Sequence, residues 1–464
     1  MAISIARSVN IRPPVRWLCL FLAATLLFAG AAAAADAART DFQNNLQASL
    51  EAIWTGQEFS PEVKQRQQSL QTALTSGNVN KAELESMMEA AFLSLLDRQK
   101  TSRYALKALP ERFNAIFAPH MDWKRGREIM WRAMASPVKK EDPVIFRVGT
   151  LAPPGTPWLS VPETIAFPEF ERLSDGKFIT KIYGGGVMGE DPEILKKMGS
   201  GQLDCCGCTA LGVLETCPEA AVLLVPGLFT SFEEVDYIFE KFRKRLDDGF
   251  EKKGYVLWAL IDTGFFYMFS TTKTAGLEDI KKQKVLTWFG SIETTFFKEL
   301  GITPKPVAVP DIVAALNTGA AETNIAPAAW MLGMQAYQYS NYYIKPHLLY
   351  SPAAVIVSVD KKHKIQKQLG VSAVFSHNII EVLAAEWNIV EPEWRRQIRM
   401  YEEKSLKAFE TKCGMKSVTL SAEDQAVLQK VNKAVAQKLT GTVFPGDLLG
   451  EIQKALEEFR AKTH

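Results

Sequence analysis

The feature that most constrains the fold is a change of hydrophobic period at a polar stretch bounded by prolines, Ser136-Pro137-Val138-Lys139-Lys140-Glu141-Asp142-Pro143. Before it, apolar residues recur only at helical steps. Phe42, Leu46, Leu50 and Ile53 share one helix face, as do Leu84, Met88, Phe92 and Leu95. Ser60-Pro61-Glu62 reads as a helix start, with a capping hydroxyl, a proline at the first position and an acid at the positive end of the dipole. Asn80 caps a third helix, and Arg103–Phe117 and Trp123–Ala135 read as two more. After the linker, short apolar runs such as Val144–Thr150, Lys177–Tyr183 and Leu203–Cys208 alternate with amphipathic stretches. A second strand–helix series starts near Tyr267, and helical periodicity dominates from Asp360 onward. Such alternation implies α/β architecture with a parallel-type sheet. Two series followed by a helical tail predict two lobes around a cleft, joined by strands near Ile261 and Tyr350. An all-α domain precedes them.

The amino terminus has the three parts of a secretory signal. Arg7, Arg12 and Arg16 precede an apolar run from Trp17 to Phe28, and small residues lead to Ala35, where cleavage is expected. The apolar run is shorter than a bilayer span. The balance of 54 Lys+Arg against 52 Asp+Glu argues against a nucleic-acid binder, which needs clustered positive charge. The expected organisation is a signal over 1–35, a helical domain over 36–140 and a solute-binding domain over 141–464. The first lobe takes about 144–262 plus part of 353–390. The second takes about 267–352 plus part of the C-terminal helices. The helical domain is either a simple bundle or a dock for a periplasmic partner.

The chemistry-bearing motifs are few. Cys205 and Cys208 have C-x-x-C spacing, but no second cysteine or histidine pair completes four zinc ligands. Packing, a disulfide and metal or redox work are the three readings of this cluster, and no metal is expected. The odd cysteine count beyond the signal leaves at least one thiol unpaired within the chain. Gly184-Gly185-Gly186-Val187-Met188-Gly189 satisfies G-x-G-x-x-G between a strand and a helix. Asp191-Pro192 puts an acid where a dinucleotide's phosphate would dock, so a glycine turn reaching the cleft is the better reading. No G-x-S-x-G, H-E-x-x-H or phosphate-loop sequence is present, and no catalytic residue or cofactor is assigned.

Residues 145 to about 460 resemble the dicarboxylate-binding (DctP-like) solute-binding proteins of tripartite ATP-independent periplasmic (TRAP) transporters. The resemblance rests on segments in order: Val148-Gly149-Thr150-Leu151-Ala152-Pro153-Pro154-Gly155-Thr156-Pro157-Trp158, the glycine turn to Glu190, Gly201-Gln202-Leu203-Asp204, Leu224-Val225-Pro226-Gly227-Leu228-Phe229, and Leu300–Val307 with Ala315–Gly319. It implies a two-lobed periplasmic-binding-protein-like fold with a hinge and central cleft. It further implies capture of a small organic solute by hinge closure and delivery to membrane permease subunits, without catalysis. The chain departs from the family where specificity resides. Leu286 stands at the position of an arginine that binds the ligand carboxylate, Phe266 follows Gly264-Phe265 where a second arginine is frequent, and Ala326 replaces an asparagine before Pro327. The implied ligand site comprises Trp158, Glu190, Thr209, Phe266, Leu286, Trp288, Ala326 and Trp330. Its aromatic faces suit a solute less polar than the usual carboxylate. A relocated arginine would be sought first at Arg147 and Arg172. The alternatives are an exported α/β enzyme with Asp204 or Glu190 as general base, and a scaffold that has lost its ligand.

Overall fold

The computed structural model describes residues 13–463 except 78, 119 and 289, and the side chains of 13–32 lie outside the description. The expected signal therefore falls largely outside the described residues. Among the described residues no helix is long and apolar enough to cross a membrane. The chain divides into two compact units, residues 1–134 and 135–464.

The first unit is helical: α1 (Pro13–Thr55), α2 (Pro61–Thr75), α3 (Lys81–Arg98), α4 (Arg103–Lys107), α5 (Leu109–Phe117) and α6 (Trp123–Ala135). Ser60 and Asn80 accept from the backbone N–H groups of Val63 and Glu83, as N-caps do. Phe42, Leu46, Leu50 and Ile53 are buried, together with the α3 stripe of Leu84, Met88, Phe92 and Leu95. The single helix expected over Arg103–Phe117 is two. It breaks at Ala108, because Pro110 cannot donate to the preceding turn and suits a new first turn instead.

The second unit begins with β1 (Val144–Thr150), α7 (Pro157–Val161), α8 (Phe167–Leu173), β2 (Phe178–Tyr183), α9 (Asp191–Gly199), β3 (Cys205–Cys208), α10 (Ala210–Thr216) and α11 (Phe232–Lys252). A 16-residue strand β4 (Tyr255–Ser270) follows, then α12 (Leu277–Ile280), β5 (Leu286–Thr287), α13 (Ser291–Glu299), β6 (Lys305–Pro306), α14 (Ile312–Asn317), β7 (Thr323–Pro327) and α15 (Ala328–Gly333). The chain ends with β8 (Tyr342–Lys345), β9 (Leu349–Ser358), α16 (Asp360–Leu369), α17 (Ala373–Thr411), β10 (Lys416–Thr419), α18 (Ala422–Leu439) and α19 (Gly446–Thr463).

The fold is two-lobed α/β, preceded by helices. β2, β1 and β3 are mutually parallel, but β3 meets β9 antiparallel, and β4 runs antiparallel to β9, β7 and β8. The expected parallel-type sheet is thus mixed. The reason is that β4 and β9 are the crossing strands. Tyr255–Ile261 pairs with Ala353–Ser358 beside β3, whereas Phe266–Ser270 pairs with β7. Their shared register slips between Leu257 and Ala259 and again between Asp262 and Gly264, the positions where the ladder bends from one lobe into the other. Gly264 sits there at φ +125°, a conformation that a Cβ would strain. β5 and β6 form a separate pair, tied to β7 by the bridge between Val285 and Thr323. The short strands β8 and β10 lack the run length that marks a strand in sequence.

Behind the crossover, α17 carries the charges that lock it. Asp262 is buried and accepts from Arg399 Nε at 2.7 Å and from the Tyr350 hydroxyl at 2.7 Å. Arg399 also grips Asp236 with two nitrogens at 2.7 Å each. Glu402, one turn further on, accepts from the backbone N–H groups of Ala328 and Ala329 at 2.8 and 2.7 Å, capping α15 from below.

Candidate functional site

The C-terminal ends of β1 and β3 point into the cleft, the usual place for a ligand in an α/β lobe. The glycine turn after β2 closes one side of it. Gly185, Gly186 and Gly189 have φ of +64°, +75° and +90°. The first two donate to Ala152 O and Thr150 O at 2.8 and 3.1 Å. Those amides are committed to the chain's own carbonyls, which leaves no cradle for a pyrophosphate and removes the dinucleotide reading.

Between the lobes lies a narrow cavity of about 70 Å³, open at its mouth. Trp158, Trp258, Trp288, Trp330, Trp387 and Trp394 all line it. Trp158 comes from α7, Trp258 from the first half of β4, Trp288 from the end of β5, Trp330 from α15, and the last two from α17. Trp288 meets Trp330 edge-on at 4.8 Å, and Trp258 stacks on Trp387 at 6.4 Å. The remaining wall is aliphatic or hydroxylic, with Thr150, Thr180, Thr209 and Thr263 supplying hydroxyls. Thr150 and Thr263 donate to Gly207 O and Pro352 O at 2.8 and 3.0 Å. Thr209 donates to Asp191 at 2.7 Å. Among the described residues, no charged side chain lines the cavity. Two indole N–H groups are satisfied, Trp158 on Asp262 O and Trp394 on Pro157 O. Those of Trp258 and Trp387 are buried without an acceptor.

The eight expected site residues separate into two groups. Trp158, Thr209, Trp288 and Trp330 line the cavity. Phe266, Leu286 and Ala326 are buried but do not reach it. Phe266 stands behind Trp288 at 5.2 Å, edge-on. Leu286 and Ala326 lie on β5 and β7 at full burial, where a larger polar group would displace core packing. Glu190 is engaged elsewhere: its Oε1 accepts from the backbone N–H of Val309 at 2.5 Å, across the mouth from the other lobe. The residues that sequence reasoning missed are Trp258, Trp387, Trp394 and Thr263. Trp258 sits in an unbroken apolar run and the two α17 indoles in a long amphipathic helix, so spacing alone did not mark them.

The arginine role is not taken over inside the cavity. Arg147 pairs with Asp204 at 3.5 Å, and Arg172 pairs with Glu169 at 2.8 Å near the surface. Asp204, the base of the enzyme alternative, is buried between Lys361 at 3.3 Å and Lys364 at 3.4 Å, and it does not line the cavity.

Of the three readings of the cysteine cluster, the structure has a disulfide, and it joins Cys206 and Cys208 rather than the pair with C-x-x-C spacing. Successive residues on a strand face opposite sides, whereas residues two apart share a face. Cys206 and Cys208 are accordingly bonded, while Cys205, Cys217 and Cys413 are free. Beside that pair, the fully buried Asp191 has its carboxyl pushed up to about 7 by burial, which outweighs its hydrogen bonds from Thr209 and Gly212. Glu402 is pushed up to about 8 for the same reason.

A family model for bacterial extracellular solute-binding proteins, family 7 (DctP), matches residues 149–441, more than half of the chain. The chain belongs to this family. Solved structures of TRAP periplasmic solute-binding proteins share the fold. One from Haemophilus influenzae with bound L-gulonate has a TM-score of 0.59 at 16% identity, covering 68% of this chain and 99% of that one. The sugar acid binding protein of Advenella mimigardefordensis with galactonate has a TM-score of 0.60 at 19% identity, over 68% and 98%. One from Desulfovibrio salexigens with bound orotic acid has a TM-score of 0.59 at 17% identity, over 68% and 99%. By sequence, a solute-binding protein of Chromohalobacter salexigens is 24% identical over 46% of this chain and 64% of its own length. The sialic acid-binding periplasmic protein SiaP of Vibrio cholerae is 23% identical over 42% and 61%. The chain thus matches less than two thirds of the length of these curated relatives. The matched region begins at Gly149, so the helical unit before the proline linker lies outside the DctP match.

Proposed function

We propose that this chain is the exported solute-capturing component of a TRAP transporter, and that its solute is weakly polar and ring-bearing. The observation that carries the solute class is the cavity wall, lined among the described residues by six tryptophans from both lobes and by no charged side chain. A carboxylate transferred into such a wall without a cation would pay several kcal/mol for desolvation. An aromatic or alicyclic face instead gains about 25 cal/mol per Å² of buried apolar area. The acids named with the solved relatives are those proteins' ligands; orotic acid, a ring compound, is the nearest to this chemistry.

On this reading the mechanism is closure. The lobe of residues about 144–262 brings Trp158 and Trp258, and the lobe of about 267–352 brings Trp288 and Trp330. The crossing strands β4 and β9 bend as the hinge. The signal over 1–35 directs the chain to the periplasm, where the closed form meets its permease subunits. The helical domain over 36–140 is the region available to a further periplasmic partner. The solute leaves unchanged on this reading, since among the described residues no carboxylate or imidazole lines the cavity.

Native mass spectrometry of the purified protein, followed by titration calorimetry, tests the proposal. The expected result is a co-purified ring-bearing compound, and no heat with malate or succinate. Micromolar binding of a C4 dicarboxylate that survives Trp288→Ala would overturn it.

A further inference from the structure

Three potential metal-ligating side chains converge at the end of β3. Cys206 and Cys208 share a face of that strand, and Asp191, the first residue of α9, approaches from the side. Their ligand atoms all lie within 4.8 Å of one another, and all three residues are buried. Gly212 makes this approach possible: a Cβ there would stand 2.8 Å from Cys208 Cβ and 3.1 Å from Asp191 Cβ.

The two carboxylate oxygens of Asp191 are used unequally. Oδ2 accepts from Thr209 N, the Thr209 hydroxyl and Gly212 N at 2.9, 2.7 and 2.9 Å. Oδ1 is buried with no hydrogen-bond partner. No Lys, Arg or His forms an ion pair with Asp191 among the described residues. A buried acid with one oxygen saturated and the other bare, beside two sulfurs, keeps one oxygen available to a cation.

We propose that the reduced Cys206–Cys208 pair and Asp191 Oδ1 form a binding site for one borderline-soft divalent cation of the zinc type. Two thiolates and a carboxylate are a donor set that Zn²⁺ accepts, with a fourth position left for water or another donor. Cys208 and Thr209 also line the solute cavity, which gives the cation its way in. The count of ligands from sequence found too few for zinc because it considered thiols and imidazoles and not the carboxylate of Asp191, fifteen residues before Cys206.

The bonded pair must open first. A dithiol reductant does so by exchange: its two sulfurs become a disulfide, and two electrons and two protons end on Cys206 and Cys208. The cation then displaces both thiol protons and binds the two thiolates and the carboxylate, so that binding tightens as pH rises.

The probe is Co²⁺, titrated anaerobically into the full chain after reduction and removal of the reductant. The expected result is one Co²⁺ per chain with a thiolate-to-cobalt charge-transfer band in the near ultraviolet. Cys206→Ser or Cys208→Ser should abolish the band, and Cys205→Ser, on the opposite face of β3, should keep it. Asp191→Asn retains an oxygen for Thr209 and Gly212 and should bind at least about tenfold more weakly. No band in the reduced wild type would overturn the site. So would loss of the band in Cys205→Ser, or equal affinity in a folded Asp191→Asn. If Asp191→Asn does not fold, the contrast between Cys205→Ser and Cys208→Ser decides the matter.

Discussion

Removing the Glu190 carboxylate should weaken binding of every solute by the same factor. Its Oε1 reaches the Val309 amide across the cleft mouth at 2.5 Å, and Glu190 does not line the cavity. The bond exists only while the lobes are closed, so its free energy belongs to the closed state alone. A hydrogen bond to an ionised acceptor contributes about 1.5–3 kcal/mol. Glu190 is only half-buried, and solvent competes for both partners, so the lower part of the range applies. A loss of about 1–2 kcal/mol changes an equilibrium by about 5–30-fold. In Glu190→Ala the apparent Kd should rise by that factor, chiefly through faster dissociation. Stopped-flow tryptophan fluorescence is the assay, since six indoles line the cavity. Glu190→Gln keeps a neutral acceptor and should fall between wild type and Glu190→Ala. Unchanged dissociation in Glu190→Ala would refute the latch. A loss confined to one solute among several would place Glu190 on that solute instead, as the sequence reading had it.

Further outcomes follow from the same geometry. Gly333→Ala puts a methyl 2.6 Å from Thr156 Cγ2 of the facing lobe, so it should hold the cleft open, weaken binding and enlarge the radius of gyration measured with solute present. Glu402 is raised in the folded state to about 8, from an ordinary 4.5. The folded protein therefore binds its proton more tightly than the unfolded chain does. Stability is greatest below the unfolded value and falls as pH rises from about 4.5 to about 8. Glu402→Gln, which keeps an acceptor oxygen for α15, should flatten that decline by up to a few kcal/mol in urea melts at pH 5 and pH 8. An undiminished slope would disprove the burial of a titrating carboxyl. A chain starting at Ala135 should bind solute with wild-type affinity in calorimetry, because every residue lining the cavity lies in the second unit.

Much of the fold was legible because periodicity reports burial directly. The run Val144–Thr150 has the bounds expected of it, and the capped helices begin where Ser60 and Asn80 announce them. What was not legible depends on partners distant in sequence. A joining strand was expected near Ile261, but β4 is buried along almost its whole length because it crosses both lobes, so without alternation its bounds and partners do not show in the sequence. Its antiparallel pairing with β9 and β7 joins residues roughly 90 and 60 positions away, as Ile261 with Ala353 and Phe266 with Pro327.

Four of the expected residues, Trp158, Thr209, Trp288 and Trp330, line the cavity, and the departures from the family carry a different signal. Leu286, Phe266 and Ala326 signalled the missing polar anchors, yet none of them reaches the cavity. Their informative content was negative: without a fork of guanidinium nitrogens, a carboxylate has nothing to pair with. What replaced the anchors came from elsewhere in the chain. The indoles of Trp258, Trp387 and Trp394 converge because α17 passes beneath the crossover, which Arg399 and Asp262 hold in place. This charge network stands behind the strand and fixes the helix that presents the aromatic wall. The aromatic wall of the cleft and the crossover beside it therefore share the same ion pairs. An Arg399→Met variant should loosen both together, lowering the melting temperature and weakening solute binding. A variant that melts early but binds with wild-type affinity would separate the two.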